Sequence, residues 1–184
     1  DRKKLYVGES LKLTLRIWIK PFRDPQYGKL SEASMWSCVS KDKSEWGSFQ
    51  EPLEQMLARR AAPRGRELLR KDSQGQERSY YLYEIERTVQ VNRPGPVTAK
   101  DINIVATYPT RLGRSNDLFS MGRLIMTGSL PVAAQATVEP LDVLPLPTEG
   151  RPSWFSGAVG RYTIKASAKP TEVAVGDPIT LTLL

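Results

Sequence analysis

Two stretches of this chain carry one pattern, and that repeat restricts the possible folds more than any other feature. Leu5-Tyr6-Val7-Gly8-Glu9-Ser10-Leu11-Lys12-Leu13-Thr14-Leu15 returns 168 positions later as Val173-Ala174-Val175-Gly176-Asp177-Pro178-Ile179-Thr180-Leu181-Thr182-Leu183. Each copy is a short apolar stretch, a Gly followed by an acidic residue, and then strict alternation of apolar and polar side chains. That order reads as a turn feeding a half-buried strand. Repetition at this separation predicts tandem domains of one kind. The second copy runs to Leu184, so we expect a segment of a longer protein that includes only the opening of its second domain.

The first strand is the clearest. Leu11, Leu13, Leu15, Ile17 and Ile19 share one face, and Lys12, Thr14, Arg16, Trp18 and Lys20 share the other, until Pro21 ends the run. Trp18 on the outer face is expected either to pack under a neighbouring loop or to offer a contact. Residues 22–48 have weak periodicity, with Ser34–Val39 as a possible strand. From Glu51 the spacing of Leu53, Met56 and Leu57 predicts a short helix to about Arg60, read as a lid over the sheet edge. Arg59, Arg60, Arg64 and Arg66 then make the strongest local positive charge.

Arg66–Lys71 and Glu77–Val91 read as two strands joined around Asp72-Ser73-Gln74-Gly75. Arg87 falls on the apolar face of the second, which implies either a bulge or a side chain reaching the sheet edge. Asn92-Arg93-Pro94-Gly95 is a turn, and Ile102, Ile104, Ala106 and Tyr108 mark a further strand. Residues 109–131 read as a long connection containing Leu112, Leu118, Phe119, Met121, Leu124, Ile125 and Met126, open to a strand over part of its length and too apolar for simple disorder. Ala136, Val138, Leu141, Val143 and Leu144 suggest a last strand broken at Pro140. The Pro-rich stretch 145–152 is a stiff boundary, beyond which Tyr162, Ile164, Ala166 and Ala168 alternate as a strand.

Runs of strands separated by turns, without strand–helix alternation, predict an all-β, immunoglobulin-like antiparallel β-sandwich over residues 1–147. It carries a helix-containing insertion at about 21–65. Residues 148–184 are the linker and the opening strands of a second similar domain, about three where a complete one needs about seven.

Composition narrows function mainly by what is missing. The chain has no histidine and a single cysteine, Cys38. A Ser-His-Asp or Cys-His arrangement is therefore excluded, and so in effect is a structural zinc site. Asp24, Glu32, Asp42 and Glu45 could supply a carboxylate pair, yet no short motif brings two of them into a cleft. Ser156-Gly157 lacks a nucleophile-elbow arrangement. No cofactor is expected. The net charge of +7, from 27 basic and 20 acidic residues, is read as a mixed solvated exterior. Glu residues interleaved through 77–86 work against nucleic-acid binding.

Val143-Leu144-Pro145-Leu146-Pro147-Thr148-Glu149-Gly150-Arg151-Pro152, followed by Trp154-Phe155-Ser156-Gly157-Ala158-Val159-Gly160-Arg161-Tyr162, resembles a domain junction of the BatD family of bacterial aerotolerance operons. Residues 166–181 resemble the opening of that family's next domain, and Val7-Gly8-Glu9 and Arg93-Pro94-Gly95 also fit. The last 40 residues are the specific part, whereas 21–80 match poorly. The resemblance implies a membrane-anchored protein with tandem immunoglobulin-like domains on the periplasmic side of a bacterial membrane. It also implies a non-catalytic scaffold partnered by envelope proteins with von Willebrand A-type or tetratricopeptide modules.

The expected contact residues are Trp18, Trp36, Trp46, Arg59, Arg60, Arg64 and Arg66. The alternative is a carbohydrate or acidic-glycan binding module. That reading requires two or more of Trp18, Trp36, Trp46 and Tyr27 to line one exposed groove. Gly8-Glu9 and Gly176-Asp177 are read as structural turns.

Overall fold

The computed structural model describes residues 4–115, 123–157 and 163–184. Its elements, in chain order, begin with β1 (Lys4–Tyr6), β2 (Ser10–Ile19), β3 (Arg23–Asp24), β4 (Gly28–Lys29), helix α1 (Glu32–Trp36) and β5 (Glu45–Trp46). A 3-10 turn over Gly47–Phe49 leads into α2 (Gln50–Ala58), and then come β6 (Arg66–Lys71), β7 (Glu77–Gln90), β8 (Gly95–Pro96) and β9 (Ile102–Arg114). The remaining strands are β10 (Leu124–Gln135), β11 (Asp142–Leu144), β12 (Ala166–Lys169) and β13 (Thr180–Leu183). The architecture is predominantly antiparallel β-sheet with a small helical part.

Three sheets carry the amino-terminal part, in the orders β2-β7-β6, β10-β9-β5 and β1-β11-β8. The β2–β7 ladder runs without a break from Ser10 opposite Gln90 to Ile19 opposite Tyr81. This register places Leu15 and Ile17 on one buried face with Tyr81, Tyr83 and Ile85. Trp46 of β5 and Ile102 of β9 enter the same core from the second sheet. Among the described residues, however, the ladders do not close into a barrel or a closed sandwich. β2 and β10 are each the outer strand of their sheets, and apolar residues along β10 such as Leu130 are exposed.

The segment between β2 and β6 holds the expected small helical insertion, and its role goes beyond that of a lid over the sheet edge. It supplies Met35, Trp36, Val39, Trp46, Phe49 and Leu53 to the core, and β5 pairs with β9 within the sheet itself. Residues 34–36, expected at the start of a strand, lie in α1. The Ser31 hydroxyl accepts the Ser34 amide at 3.2 Å, an N-cap that fixes the helix start, and Glu32 sits favourably in its first turn. The helix expected near Leu53 is present as α2, with Leu53 buried and Met56 and Leu57 packed on the core.

Arg87 makes no bulge. It lies opposite Leu13 in the continuous ladder and reaches across to the helical segment, donating to the Ser48 carbonyl and pairing with Glu51 at 3.2 Å. Within the long connection expected over 109–131, the described residues lie mostly in β9 and β10, which pair antiparallel with register shifts around Gly128. Leu118, Phe119 and Met121 of that expectation lie outside the described residues, as does Tyr162. The last strand before the boundary is reduced to β11, which pairs parallel with β1 and antiparallel with β8.

Both copies of the repeated pattern build the same turn. The Glu9 carboxylate accepts the Tyr6 amide at 3.0 Å while the Glu9 amide donates to the Tyr6 carbonyl at 3.1 Å. Asp177 does the same to Ala174, at 3.1 Å in both directions. Between them Gly8 and Gly176 adopt φ of 92° and 102°, a region where a side chain would be strained.

Candidate interaction surface

The outward residues of β2, β7 and β6 share the solvent face of one sheet, as the period-2 alternation requires. Arg16 lies opposite Glu84, and its Nε donates to Glu84 Oε1 at 3.0 Å. Arg66, on the third strand, reaches Glu84 Oε2 at 2.5 Å. One carboxylate thus bridges two guanidinium groups across three strands. Hydrogen bonding to Arg16 is the main reason the Glu84 carboxyl lies below its ordinary range; partial burial opposes this, and Arg66 reinforces it. Lys12 and Glu86 extend the charged row at 2.9 Å.

Trp18 stands on this same face rather than under a loop. It lies opposite Leu82, which is buried, and the Arg70 guanidinium sits 4.9 Å from the ring centroid. The indole and Arg70 therefore form a flat, half-exposed aromatic–cation pair beside the charged row. Such exposed pairs contribute little to folding, about 0–1 kcal/mol for an ion pair. Their groups can consequently exchange partners at an interface without unfolding the sheet.

The expected contact residues fall into three places. Trp18 and Arg66 belong to this face. Arg59, Arg60 and Arg64 are exposed along the passage from α2 to β6, where Arg59 lines a shallow depression of ≈ 330 Å³ with Met56, Glu84 and Glu86. Trp36 and Trp46 are core residues, 4% and 1% exposed, and present nothing to a partner. Their rings lie 6.3 Å apart, and Trp46 donates its indole N–H to the Lys41 carbonyl at 3.0 Å. A glycan platform built on them is thereby removed. Of its other two members, Trp18 lies on the β2 face, whereas Tyr27 lies in the β3–β4 turn with Arg114 6.0 Å from its ring.

Alternation along the two strands places Arg16 and Glu84 on outward faces, yet neither is among the expected contact residues, and nor is Arg70. The cross-strand register brings the three together on one face.

Of the carboxylates considered for catalysis, Glu32, Asp42 and Glu45 are exposed and Asp24 is buried. Asp24, 7% exposed, accepts the amides of Gln26 at 2.8 Å, Tyr27 at 3.1 Å and Leu112 at 3.1 Å. These bonds, that from Gln26 foremost, hold its carboxyl below its ordinary value against the opposing effect of burial. The group thus ties the β3–β4 turn to β9. Because the folded state ionises at lower pH than the unfolded chain, this stabilisation is present above the ordinary value of 3.8 and is lost as pH falls through the folded one. Asp24→Asn is expected to lower stability at pH 7 and to flatten the acid limb of a urea-midpoint-against-pH profile. An unchanged limb would show that the carboxylate is not the linking group.

Burial pushes the Cys38 thiol up, which disfavours the reactive thiolate. Among the described residues no group of three or more His, Cys, Asp and Glu side chains could hold a metal ion, and no helix is long and apolar enough to cross a membrane.

No protein-family model, curated protein or solved structure matches the chain.

Proposed function

We propose that this chain is part of a non-catalytic scaffold on the periplasmic side of a bacterial membrane, built from tandem immunoglobulin-like domains. The observation that carries the reading is the turn made twice, by Tyr6–Glu9 and by Ala174–Asp177, with the same hydrogen bonds at the same 168-residue offset. A turn rebuilt in this detail before two alternating strands supports two domain openings of one kind. The immunoglobulin-like reading of the first domain takes β2-β7-β6 and β10-β9-β5 as facing sheets, with β1 running parallel to β11 at the margin. Its support is the single core that draws on both sheets. The resemblance to the BatD family supplies the rest: membrane anchoring, and envelope partners with von Willebrand A-type or tetratricopeptide modules. The β2-β7-β6 face, with Trp18, Arg70 and the Arg16–Glu84–Arg66 bridge, is the contact surface in this reading.

The test is affinity capture from native bacterial membranes with the full-length protein as bait. Envelope proteins carrying those modules are expected in the captured fraction. Trp18→Ala combined with Arg70→Glu is expected to reduce their recovery about tenfold, as loss of an aromatic and an Arg anchor does, while the thermal midpoint moves little. Recovery of no such protein would sink the scaffold reading. Full recovery with the double variant would move the contact to another face.

A further inference from the structure

An apolar groove of ≈ 250 Å³ opens on the side where the two main sheets fail to meet. Leu15, Ile17 and Ile19 of β2 form one wall, and Ile104 and Ala106 of β9 with Val132 of β10 form the other. β2 pairs with β7 on one side only, so among the described residues its other edge has no strand partner along the groove. The backbone tells which groups face out. The Val91 amide donates to the Glu9 carbonyl at 3.0 Å, so Glu9 and every second residue after it turn their backbone toward β7. Lys12, Thr14, Arg16 and Lys20 then turn theirs outward, and the Tyr108 hydroxyl indeed donates to the Lys20 carbonyl at 3.1 Å.

The second copy of the repeat has this edge filled. β13 is the counterpart of Lys12–Leu15, and β12 pairs antiparallel along it, with Ala168 opposite Leu181 and Ala166 opposite Leu183. Lys165 and Leu184 exchange amide bonds of 2.9 Å each way. Leu184 corresponds to Arg16, so β12 occupies the edge of β13 that matches the outward edge of β2. In that register Ile164, Ala166 and Ala168 would share a face with Leu13, Leu15 and Ile17.

We infer that the groove is a strand-acceptor site, filled by an extended segment of the same polypeptide entering Asp1 from its amino side and lying antiparallel along β2. Its chemistry is that of β12: backbone amides for the open edge, and small or branched apolar side chains at alternate positions for the groove. The source is the same chain because β12 reaches β13 through only the ten residues 170–179. The inference shares the internal repeat with the scaffold reading but does not rest on the partners or the location proposed there.

Residues 161–168 joined directly to Asp1 reproduce the 168-residue register, which allows a test on the full chain. Amide hydrogen exchange of Lys12, Thr14 and Arg16 is expected to slow by about tenfold or more in the extended chain, in a monomer and with a raised thermal midpoint. The same graft shifted by one inserted Ser turns its polar face to the groove and should not protect. Unchanged exchange, equal protection by the shifted graft, or slow exchange already present without the graft would each overturn the proposal. Protection that appears only with dimerisation would do so too, by assigning the groove to a second copy.

Discussion

Trp46→Ala is expected to destabilise the fold by about 3–5 kcal/mol, the cost of truncating a large aromatic in a packed core. The indole is 1% exposed, lies against Trp36, and satisfies its own N–H on the Lys41 carbonyl. It sits on β5, which pairs with β9 through only two residues, so the side chain is the main anchor of that short strand. For a chain of this size the loss corresponds to a fall in thermal midpoint of roughly 10 °C or more. Urea unfolding followed by far-ultraviolet circular dichroism measures it, and a change under about 0.5 kcal/mol, the range of an ordinary surface substitution, would refute the assignment. Phe at this position keeps part of the packing but strands the Lys41 carbonyl. By contrast, the buried Trp36 N–H has no hydrogen-bond partner among the described residues. Trp36→Phe is therefore expected to cost less than Trp46→Phe.

Tyr83→Ala has an expected effect of similar size, about 3–5 kcal/mol, with a separable polar part. Tyr83 is fully buried at the centre of β7, its ring is 5.1 Å from that of Trp36, and its hydroxyl donates to the Glu32 carbonyl at 2.5 Å. Burial raises the phenol well above its ordinary value, so it stays neutral and a donor throughout the working pH range. A methyl group on Gly65 would stand 2.8 Å from the edge of this ring, so the chain passes against it without slack. Tyr83→Phe should lose only the hydrogen bond, about 1–2 kcal/mol, and should loosen α1 because Glu32 is its first residue. If Phe and Ala cost the same, the packing argument fails; if Phe costs nothing, the hydrogen bond is idle.

The parts of this fold legible in the sequence are those whose determinants are local. Alternation over Leu11–Ile19 located β2 and its inner face, and Asp72-Ser73-Gln74-Gly75 located the β6–β7 turn, where Asp72 accepts the amides of Gln74 and Gln76 at 2.9 Å each. The turns at Gly8-Glu9 and Gly176-Asp177 were legible for the same reason. Other assignments depend on partners far away in the chain. Asp24 owes its role to Leu112, 88 residues on, and Trp46 to a strand of two residues that periodicity cannot register. Ser34–Val39 is open to a strand reading because a run of six residues is too short for periodicity to separate strand from helix; the Ser31 cap makes residues 34–36 helical, and Val39 alone bridges to Ala106. On the candidate surface, alternation along the first strand points to Trp18, and the local run of arginines points to Arg66. Glu84, which joins the charges into one array, needed the cross-strand register.

The parallel pairing of β1 with β11 has a mechanical consequence. Lys4, Leu5 and Tyr6 lie beside Asp142, Val143 and Leu144, and the Val7 amide continues the pair to the Leu144 carbonyl at 3.0 Å. Tension applied through Lys4 at one end and Leu144 at the other pulls these two strands in opposite senses along their common axis. The hydrogen bonds then carry the load together, in shear, instead of opening one after another. Leu5 and Val143, 3% and 4% exposed, shield the seam from water. The place where the chain enters and leaves this unit is thus a clamp, suited to holding its length under a pulling force.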